Sequence, residues 1–395
     1  MLRAVNIFGS RVFAYLKKTF TAKKIRQHAP LFIVLVAVFT SFIYGWYFDG
    51  SKPMSGKGWA DQTSYYTAAA RFSDFELPRA GELHYAIGYP LLGTVGGIFD
   101  SDDPFMVVSL VLLLASVTLC FLAVTKLFGK NWAVLFILFL FYWDLVGRSF
   151  SFASELFVVP WNIQVLFLAM AFYLWLFATK AHQKPSWRLV LIACVLSGFA
   201  ILTREEAALF VLPAIALFIL ITKAGIKKLL IAGIITVSFF IPQFLVKLNA
   251  YGSITNSGRS DSYSDIRSHY LQPDLFERNL KEVVINSSYT TGAEASRPAL
   301  LEAAPWLWLS PIGLGLILVL KKYPVALKTY VLVSLALVVF YLSGANMSAQ
   351  KLRFHCLRYI APGMIVLNLG TLVAAKETFT FTAEKVKSKN GKFHA

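Results

Sequence analysis

Long apolar stretches, separated by short polar connections, dominate this sequence. Each approaches the roughly 20 residues that a helix needs to cross the hydrocarbon core of a bilayer. The stretches are residues 31–48, 105–125, 131–147, 158–179, 189–203, 207–222, 229–246, 304–320, 329–344 and 359–375. The pattern predicts an all-α polytopic membrane protein with about ten transmembrane helices.

Two connections, residues 49–104 and 247–303, are much longer than the others. Long connections are usually functional or disordered, and these two mix tyrosines and acidic residues in a way that favours amphipathic helices. We expect them to form an outward-facing cap of amphipathic loop helices. In the first, a helix from about residue 61 would place Asp61, Tyr65 and Ala69 on one side.

The distribution of charge predicts the orientation of the chain. Of the 395 residues 57% are hydrophobic and 15% charged, and the net charge of +17 comes from short basic clusters between the apolar stretches. Such scattered clusters do not form the basic patch typical of nucleic-acid binding. On one side of the ten-span arrangement lie more than half of the 38 lysines and arginines, with only Glu377 and Glu384 of the 21 acids. By the positive-inside rule that side, with both termini, is cytoplasmic; we expect the plasma membrane, the inner membrane in a bacterium.

Three regions follow from this pattern. Residues 1–30 form a basic cytoplasmic segment, either an interfacial amphipathic helix or a disordered leader. Residues 31–375 form the transmembrane domain. No signal-peptide cleavage site follows its first span, which is therefore expected to be a retained anchor. Residues 376–395 form a basic cytoplasmic tail, and the three cysteines show no disulfide or metal-binding pattern.

Two acidic residues near the outer boundary are candidate catalytic groups. Asp61 lies just after the first span, where it could act as a general base or simply cap the predicted helix. Glu155 precedes the fourth span without an obvious local partner, whereas Asp144 and Arg148 at a spacing of four could pair with each other. Ionisable residues at membrane depth are costly and suggest function.

Candidate anion-binding residues occur at two places on the same side. Thr203 and Glu206 match a capping box, so a helix N-terminus with Arg204 beside it could bind a phosphate; a snorkelling arginine is the alternative. Arg353 and Arg358 belong to a cationic group before the last span. Lipid headgroups alone could explain that group.

Further candidates for ligand binding lie in the first long connection. Asp100, Asp102 and Asp103 could hold a divalent cation such as Mg, Mn or Ca, or form a solvated loop before a helix. A set of aromatic and imidazole side chains could line a sugar or acceptor pocket, and packing within the cap is the alternative. These residues are Trp59, Tyr65, Tyr66, His84 and Tyr89.

The order of several short motifs resembles the GT-C superfamily of membrane glycosyltransferases. The motifs are the acid Asp61, Gly88-Tyr89-Pro90-Leu91-Leu92, Ser154-Glu155-Leu156, Gly198 to Glu206, Tyr251-Gly252-Ser253 and Arg358-Tyr359-Ile360-Ala361-Pro362. The resemblance implies a polyprenyl-phosphate-linked sugar as donor, Asp61 as catalytic residue and a contact between Arg204 and the lipid phosphate. It leaves a glycan, a lipid or a protein as acceptor, and it leaves open whether a divalent cation is needed.

The sequence therefore predicts a hexosyl- or pentosyltransferase that acts on the outer face, where nucleotide sugars are not expected, and inverts the anomeric centre. His84 and Ala86-Ile87 depart from the residues of several relatives, which leaves the donor sugar and the acceptor open. A flippase or transporter for lipid-linked sugars, or a polymerase of lipid-linked glycans, is the alternative. A transporter would favour ionisable groups near the midplane.

Overall fold

A computed structural model describes residues 22–48, 60–80, 82, 86–100, 102–141, 157, 160–253, 272–285, 299–344 and 359–391. These residues are predominantly helical, and no strand occurs among them. The prediction of an all-α chain is confirmed for this part of the protein.

Fifteen α-helices occur in the described ranges. They are α1 (Ala22–Phe48), α2 (Ala60–Ser73), α3 (Gly88–Gly96), α4 (Pro104–Phe128), α5 (Lys130–Phe141), α6 (Ile163–Lys180), α7 (Trp187–Thr203), α8 (Ala208–Ile221), α9 (Ile226–Ser238), α10 (Phe240–Tyr251), α11 (Pro273–Asn279), α12 (Leu300–Ala303), α13 (Ser310–Val319), α14 (Val325–Leu342) and α15 (Met364–Gly391). Short 3-10 turns at Glu205–Ala207, Pro305–Leu309 and Ala361–Gly363 precede α8, α13 and α15.

Six helical segments in the described ranges are long and apolar enough to cross a membrane, which makes the chain a multi-pass membrane protein. They are His28–Tyr47, Pro104–Phe128, Ile163–Lys180, Ile226–Tyr251, Val325–Leu342 and Ala361–Thr382. Apolar helices at Lys130–Phe141, Trp187–Thr203 and Pro305–Val319 are shorter. The count of ten spans and the outward cap thus stay predictions, because several apolar stretches fold into helices below the usual spanning length.

Close helix packing is made possible by small residues. A Cβ atom added to Gly313 in α13 would lie 1.7 Å from the carbonyl oxygen of Gly370 in α15. The two backbones therefore approach as closely as glycine allows, as is common between membrane helices. Elsewhere α4 packs along α6, most of whose side chains are buried.

Two helices of the first long connection lie side by side and point in the same direction. The helix predicted from about residue 61 is confirmed as α2. Tyr65 contacts Tyr89 of α3, with ring centroids 5.1 Å apart. One turn later, the hydroxyl of Thr94 donates to the carbonyl of Ala69 over 3.1 Å. Because contacts advance together along both helices, their C-terminal ends lie at the same end of the pair.

Candidate active site

Arg204 is a buried cation at the end of α7. Its backbone is extended, with φ −151° and ψ 116°, so the chain leaves the helix at this residue. The side chain turns inward and is only 7% exposed. Its Nη1 donates to Oδ1 of Asn162 over 3.3 Å and its Nη2 pairs with Oε1 of Glu206 over 3.3 Å. A snorkelling arginine would extend toward water, whereas this side chain is buried and paired.

Two neighbouring aromatic rings, which come from distant parts of the chain, pack against the guanidinium. Its central carbon lies 4.9 Å from the ring centre of Tyr359 and 5.8 Å from that of Tyr341. The two rings are 5.8 Å apart. Attraction between a cation and ring faces strengthens when water is excluded, so the rings fix Arg204 in place.

The predicted capping box at Thr203 and Glu206 is wrong. Thr203 is still the last residue of α7, and its hydroxyl donates to the carbonyl of Ala200 over 2.8 Å. The following turn begins at Glu205 as a 3-10 helix without a side-chain cap. Glu206 pairs with Arg204 instead, because the tighter turn moves its carboxylate away from the backbone of Thr203.

Asn162 joins the start of α6 to the end of α7, a role that no pattern in the sequence indicates. Its Nδ2 donates to the carbonyl of Thr203 over 3.3 Å, while its Oδ1 accepts from Arg204. A second cation lies close by, since the buried Nζ of Lys247 in α10 pairs with Oε1 of Glu205. Arg204 and Lys247 thus lie next to two carboxylates, and neither charge is isolated.

Gly88 brings the Gly-Tyr-Pro-Leu-Leu motif against the same chain segment. A Cβ atom at this position would lie 2.6 Å and 2.7 Å from the carbonyl carbon and oxygen of Leu202, and 2.8 Å from the nitrogen of Thr203. Only glycine permits this approach of α3 to the residues before Arg204. Two motifs that are more than a hundred residues apart in sequence therefore meet.

Replacement of Gly88 by alanine should destabilise the protein by roughly 1–3 kcal/mol, because the new methyl group would overlap with main-chain atoms that cannot rotate away. Melting temperature in detergent measures the effect. Gly97 is the matched control: it has a helical φ of −60°, and the nearest atoms to its added Cβ are at 3.5 Å. Equal melting temperatures for Gly88→Ala and Gly97→Ala would contradict the close approach.

The backbone of Asp61 lies in the first turn of α2, and its side chain lies outside the described residues. The helical repeat places position 61 on the same side as Ala68, seven residues later. Ala68 packs with Ile87, Leu202 and Val246 in a small apolar cluster. That side of α2 therefore faces the segment that leads into Arg204.

Tyr65 and Tyr89 are packing residues in this structure, which corrects their assignment to a sugar pocket. They are 1% and 0% exposed, and both lie against Phe105 at the start of α4. The hydroxyl of Tyr89 donates to Oε1 of Gln164 over 3.0 Å. With their ring faces covered, they have no free surface for a sugar.

Tyr66 and Asp103 form a polar junction between helices. The carboxylate of Asp103 accepts from the hydroxyl of Tyr66 and from the indole nitrogen of Trp46, each over 2.8 Å. Burial and the charge of Asp103 raise the pKa of Tyr66 well above its usual value, so this hydroxyl remains a donor. The junction ties α2 to the end of α1 and the start of α4, and the place of Tyr66 in a sugar pocket stays a prediction.

Two of the three carboxylates proposed to hold a cation, those of Asp100 and Asp103, have other partners. Asp100 accepts from the backbone nitrogens of Asp102 and Asp103 over 3.0 Å and 3.1 Å, which closes a turn before α4. In the described part of the chain no group of three or more histidine, cysteine or acidic side chains could hold a metal ion. The arrangement therefore gives no support to the predicted cation.

Gln62 is a polar residue that the sequence reasoning missed. It is 1% exposed, and neither its Oε1 nor its Nε2 has a hydrogen-bond partner within the described ranges. A buried amide left unpaired costs roughly 1–3 kcal/mol. Such a group calls for an explanation, and a role in function is one. In the sequence, only its position directly after Asp61 indicates that it could belong to the site.

Five further candidates lie outside the described residues, so their predicted roles stay predictions. They are Trp59, His84, Glu155, Arg353 and Arg358.

A comparison with protein families identifies the class to which this arrangement is similar. Residues 95–245 match the family model described as dolichyl-phosphate-mannose-protein mannosyltransferase. No curated protein and no solved structure matches the chain. The matched stretch contains Asn162, Arg204 and Glu206, while Asp61 and Gly88 precede it. The predicted resemblance is confirmed, because this mannosyltransferase family is a glycosyltransferase family of GT-C type.

Proposed function

We propose that this protein is a membrane glycosyltransferase that moves a sugar from a polyprenyl-phosphate donor to an acceptor on the outer face of the membrane. The observation that carries the proposal is the buried guanidinium of Arg204, which lies within the stretch that matches the mannosyltransferase family and packs against the rings of Tyr341 and Tyr359. The basic clusters of the sequence support the orientation.

Arg204 is suited to exchange its present partners for a phosphate. Its hydrogen bonds to Asn162 and Glu206 are each 3.3 Å long, whereas charge-assisted bonds of this type usually measure about 2.7–2.9 Å. A phosphate oxygen at the shorter distance would be bound more strongly than Glu206. The side chain of Glu206 is 23% exposed, so it can turn toward solvent when the donor enters.

Asp61 acts as the general base in this proposal. The side of α2 that bears position 61 packs through Ala68 against Leu202, two residues before Arg204. The acceptor hydroxyl gives its proton to the carboxylate, and its oxygen forms a bond to the anomeric carbon. The bond from that carbon to the phosphate oxygen breaks, and the electron pair leaves with the polyprenyl phosphate.

Attack from the face opposite the phosphate inverts the anomeric centre, as in glycosidases with one displacement step. Phosphate is a good leaving group, so a general acid is not needed. Arg204 stabilises the charge that develops on the departing phosphate. The donor sugar and the acceptor class are not assigned by these residues.

Donor turnover in proteoliposomes tests the function directly. Purified protein should release polyprenyl phosphate from at least one member of a panel of polyprenyl-phosphate hexoses and pentoses in the presence of glycan, lipid and peptide acceptors. The protein should not accept nucleotide sugars as donors. Turnover of nucleotide sugars alone would exclude the proposal, and transport of intact lipid-linked sugar without cleavage would favour a flippase.

Gln62 contributes a hydrogen bond to a hydroxyl group of the sugar or acceptor in this proposal. Gln62→Leu should raise the melting temperature, because it removes two unpaired buried atoms, and should lower kcat/KM by about tenfold, the effect of losing one hydrogen bond. An increase in stability with unchanged kcat/KM would show that the amide has no part in substrate binding.

A further inference from the structure

Phe75 has a backbone conformation that phenylalanine rarely adopts. Its φ is +59°, in the left-handed region where glycine is favoured at the end of a helix. The backbone N–H of Phe75 donates to the carbonyl of Phe72 over 3.1 Å, and that of Glu76 donates to the carbonyl of Arg71 over 2.9 Å. A helix often ends in this way, but usually with glycine at the left-handed position, because a side chain there costs energy.

The side chain of Phe75 does not stabilise the fold through burial. It is 99% exposed, the most of any large apolar residue that the structure describes. A strained backbone and a fully exposed aromatic ring are each unfavourable for folding. Observed strain of this kind points to a function outside the packed core.

An arginine holds the turn that presents Phe75. The guanidinium of Arg71 pairs with Glu76 over 2.6 Å and with Glu82 through two hydrogen bonds of 3.0 Å and 3.2 Å. The backbone nitrogen of Arg79 also donates to Glu82, over 2.9 Å. The turn is therefore cross-linked on both sides of Phe75, and the ring is presented from a fixed position.

Other exposed apolar residues lie at the same end of the helix pair. Because α2 and α3 run in the same direction, the chain after Ser73 and the chain after Gly96 emerge together. Leu77 is 49%, Ile98 79% and Phe99 73% exposed. We call Phe75, Leu77, Ile98 and Phe99 the apolar tip.

The apolar tip lies at the level where the membrane-spanning helices begin and end. Phe99 is followed by a turn in which Asp100 bonds the backbone of Asp103, directly before α4. Asp103 in turn bonds Trp46 at the end of α1. The neighbouring Tyr47 is 53% exposed and contacts Met106 of α4, as expected of an aromatic residue in the interfacial belt of a membrane protein.

We propose that the apolar tip inserts into the interfacial region of the lipid bilayer and fixes the position of α2 relative to the membrane. The continuity of the tip with the aromatic residues at the end of α1 favours lipid over a partner protein. Burial of exposed apolar side chains among headgroups and acyl chains supplies the stabilisation that the fold does not. Helix α2, which bears Asp61, is thereby held at a constant depth.

Spin labels in liposomes test the insertion. Labels at Phe75→Cys and at Glu277→Cys are compared in full-length protein in which Cys356 is replaced by serine; Cys120 and Cys194 are buried. Glu277 in α11 is the control, with a side chain 69% exposed. The label at position 75 should be more accessible to oxygen than to a water-soluble nickel chelate, and the label at position 277 should show the reverse.

Two results would overturn the proposal. Higher accessibility of position 75 to the nickel chelate would place the tip in water, and low accessibility to both reagents would place it against protein.

Discussion

Alanine in place of Arg204 should weaken binding of the polyprenyl-phosphate donor by about ten- to a hundredfold. Hydrogen bonds to charged groups contribute roughly 1.5–3 kcal/mol each, and a factor of ten corresponds to about 1.4 kcal/mol. Because the phosphate also leaves with the bonding electrons, kcat should fall as well. Donor binding is measured with labelled lipid in nanodiscs, and kcat from initial rates at saturating donor.

Arg188→Ala is the matched control for this variant. Arg188 lies at the opposite end of the same helix, α7, and is exposed, so its removal should leave donor binding unchanged. Arg204→Lys retains the charge but loses the planar fork of donors, and should bind the donor with intermediate affinity. Wild-type donor affinity in a folded Arg204→Ala protein would exclude a contact between this residue and the phosphate.

Replacement of Asp61 by asparagine should lower kcat by about 10²- to 10⁴-fold, the range that a general base contributes. The amide has nearly the same shape as the carboxylate but cannot accept the proton of the acceptor hydroxyl. Donor affinity should change little, because the proposal assigns the phosphate to Arg204. Rates of sugar transfer at saturating donor and acceptor give the comparison.

Asp74→Asn provides a control at the other end of α2. Asp74 follows the helix and is exposed, so this variant makes the same chemical change in the same element away from the proposed site. Its turnover should equal that of the wild type. If Asp61→Asn also retained full turnover, Asp61 could at most cap the helix, and another group would have to accept the proton.

Much of the helical pattern could be predicted from local sequence. The start of α2 follows from its residues, and the apolar stretches of α4, α6 and α14 are evident from hydropathy alone. These features depend on neighbours within one helix. The number of membrane-spanning helices was harder to predict, because 3-10 turns precede α8 and α13 and shorten the regular helix in those apolar stretches.

Three of the partners of Arg204 could not be predicted, because they come from separate parts of the chain. Asn162 precedes α6, Tyr341 lies in α14 and Tyr359 precedes α15. No local pattern marks a lone asparagine as the link between two helices. The same applies to Tyr65 and Tyr89. Their aromatic side chains are of a type that can stack on a sugar, but Phe105 covers their rings.

The close approach at Gly88 constrains how this protein can change over evolution. The atoms that face Gly88 belong to the main chain of Leu202 and Thr203, so no exchange of side chain at those two positions can make room for a larger residue. Gly198 differs, because the aromatic ring of Phe239 faces it, and a smaller residue at 239 could compensate there. Genetic suppressors should therefore be recovered at position 239 for a defect at 198, whereas a defect at 88 should revert only to glycine.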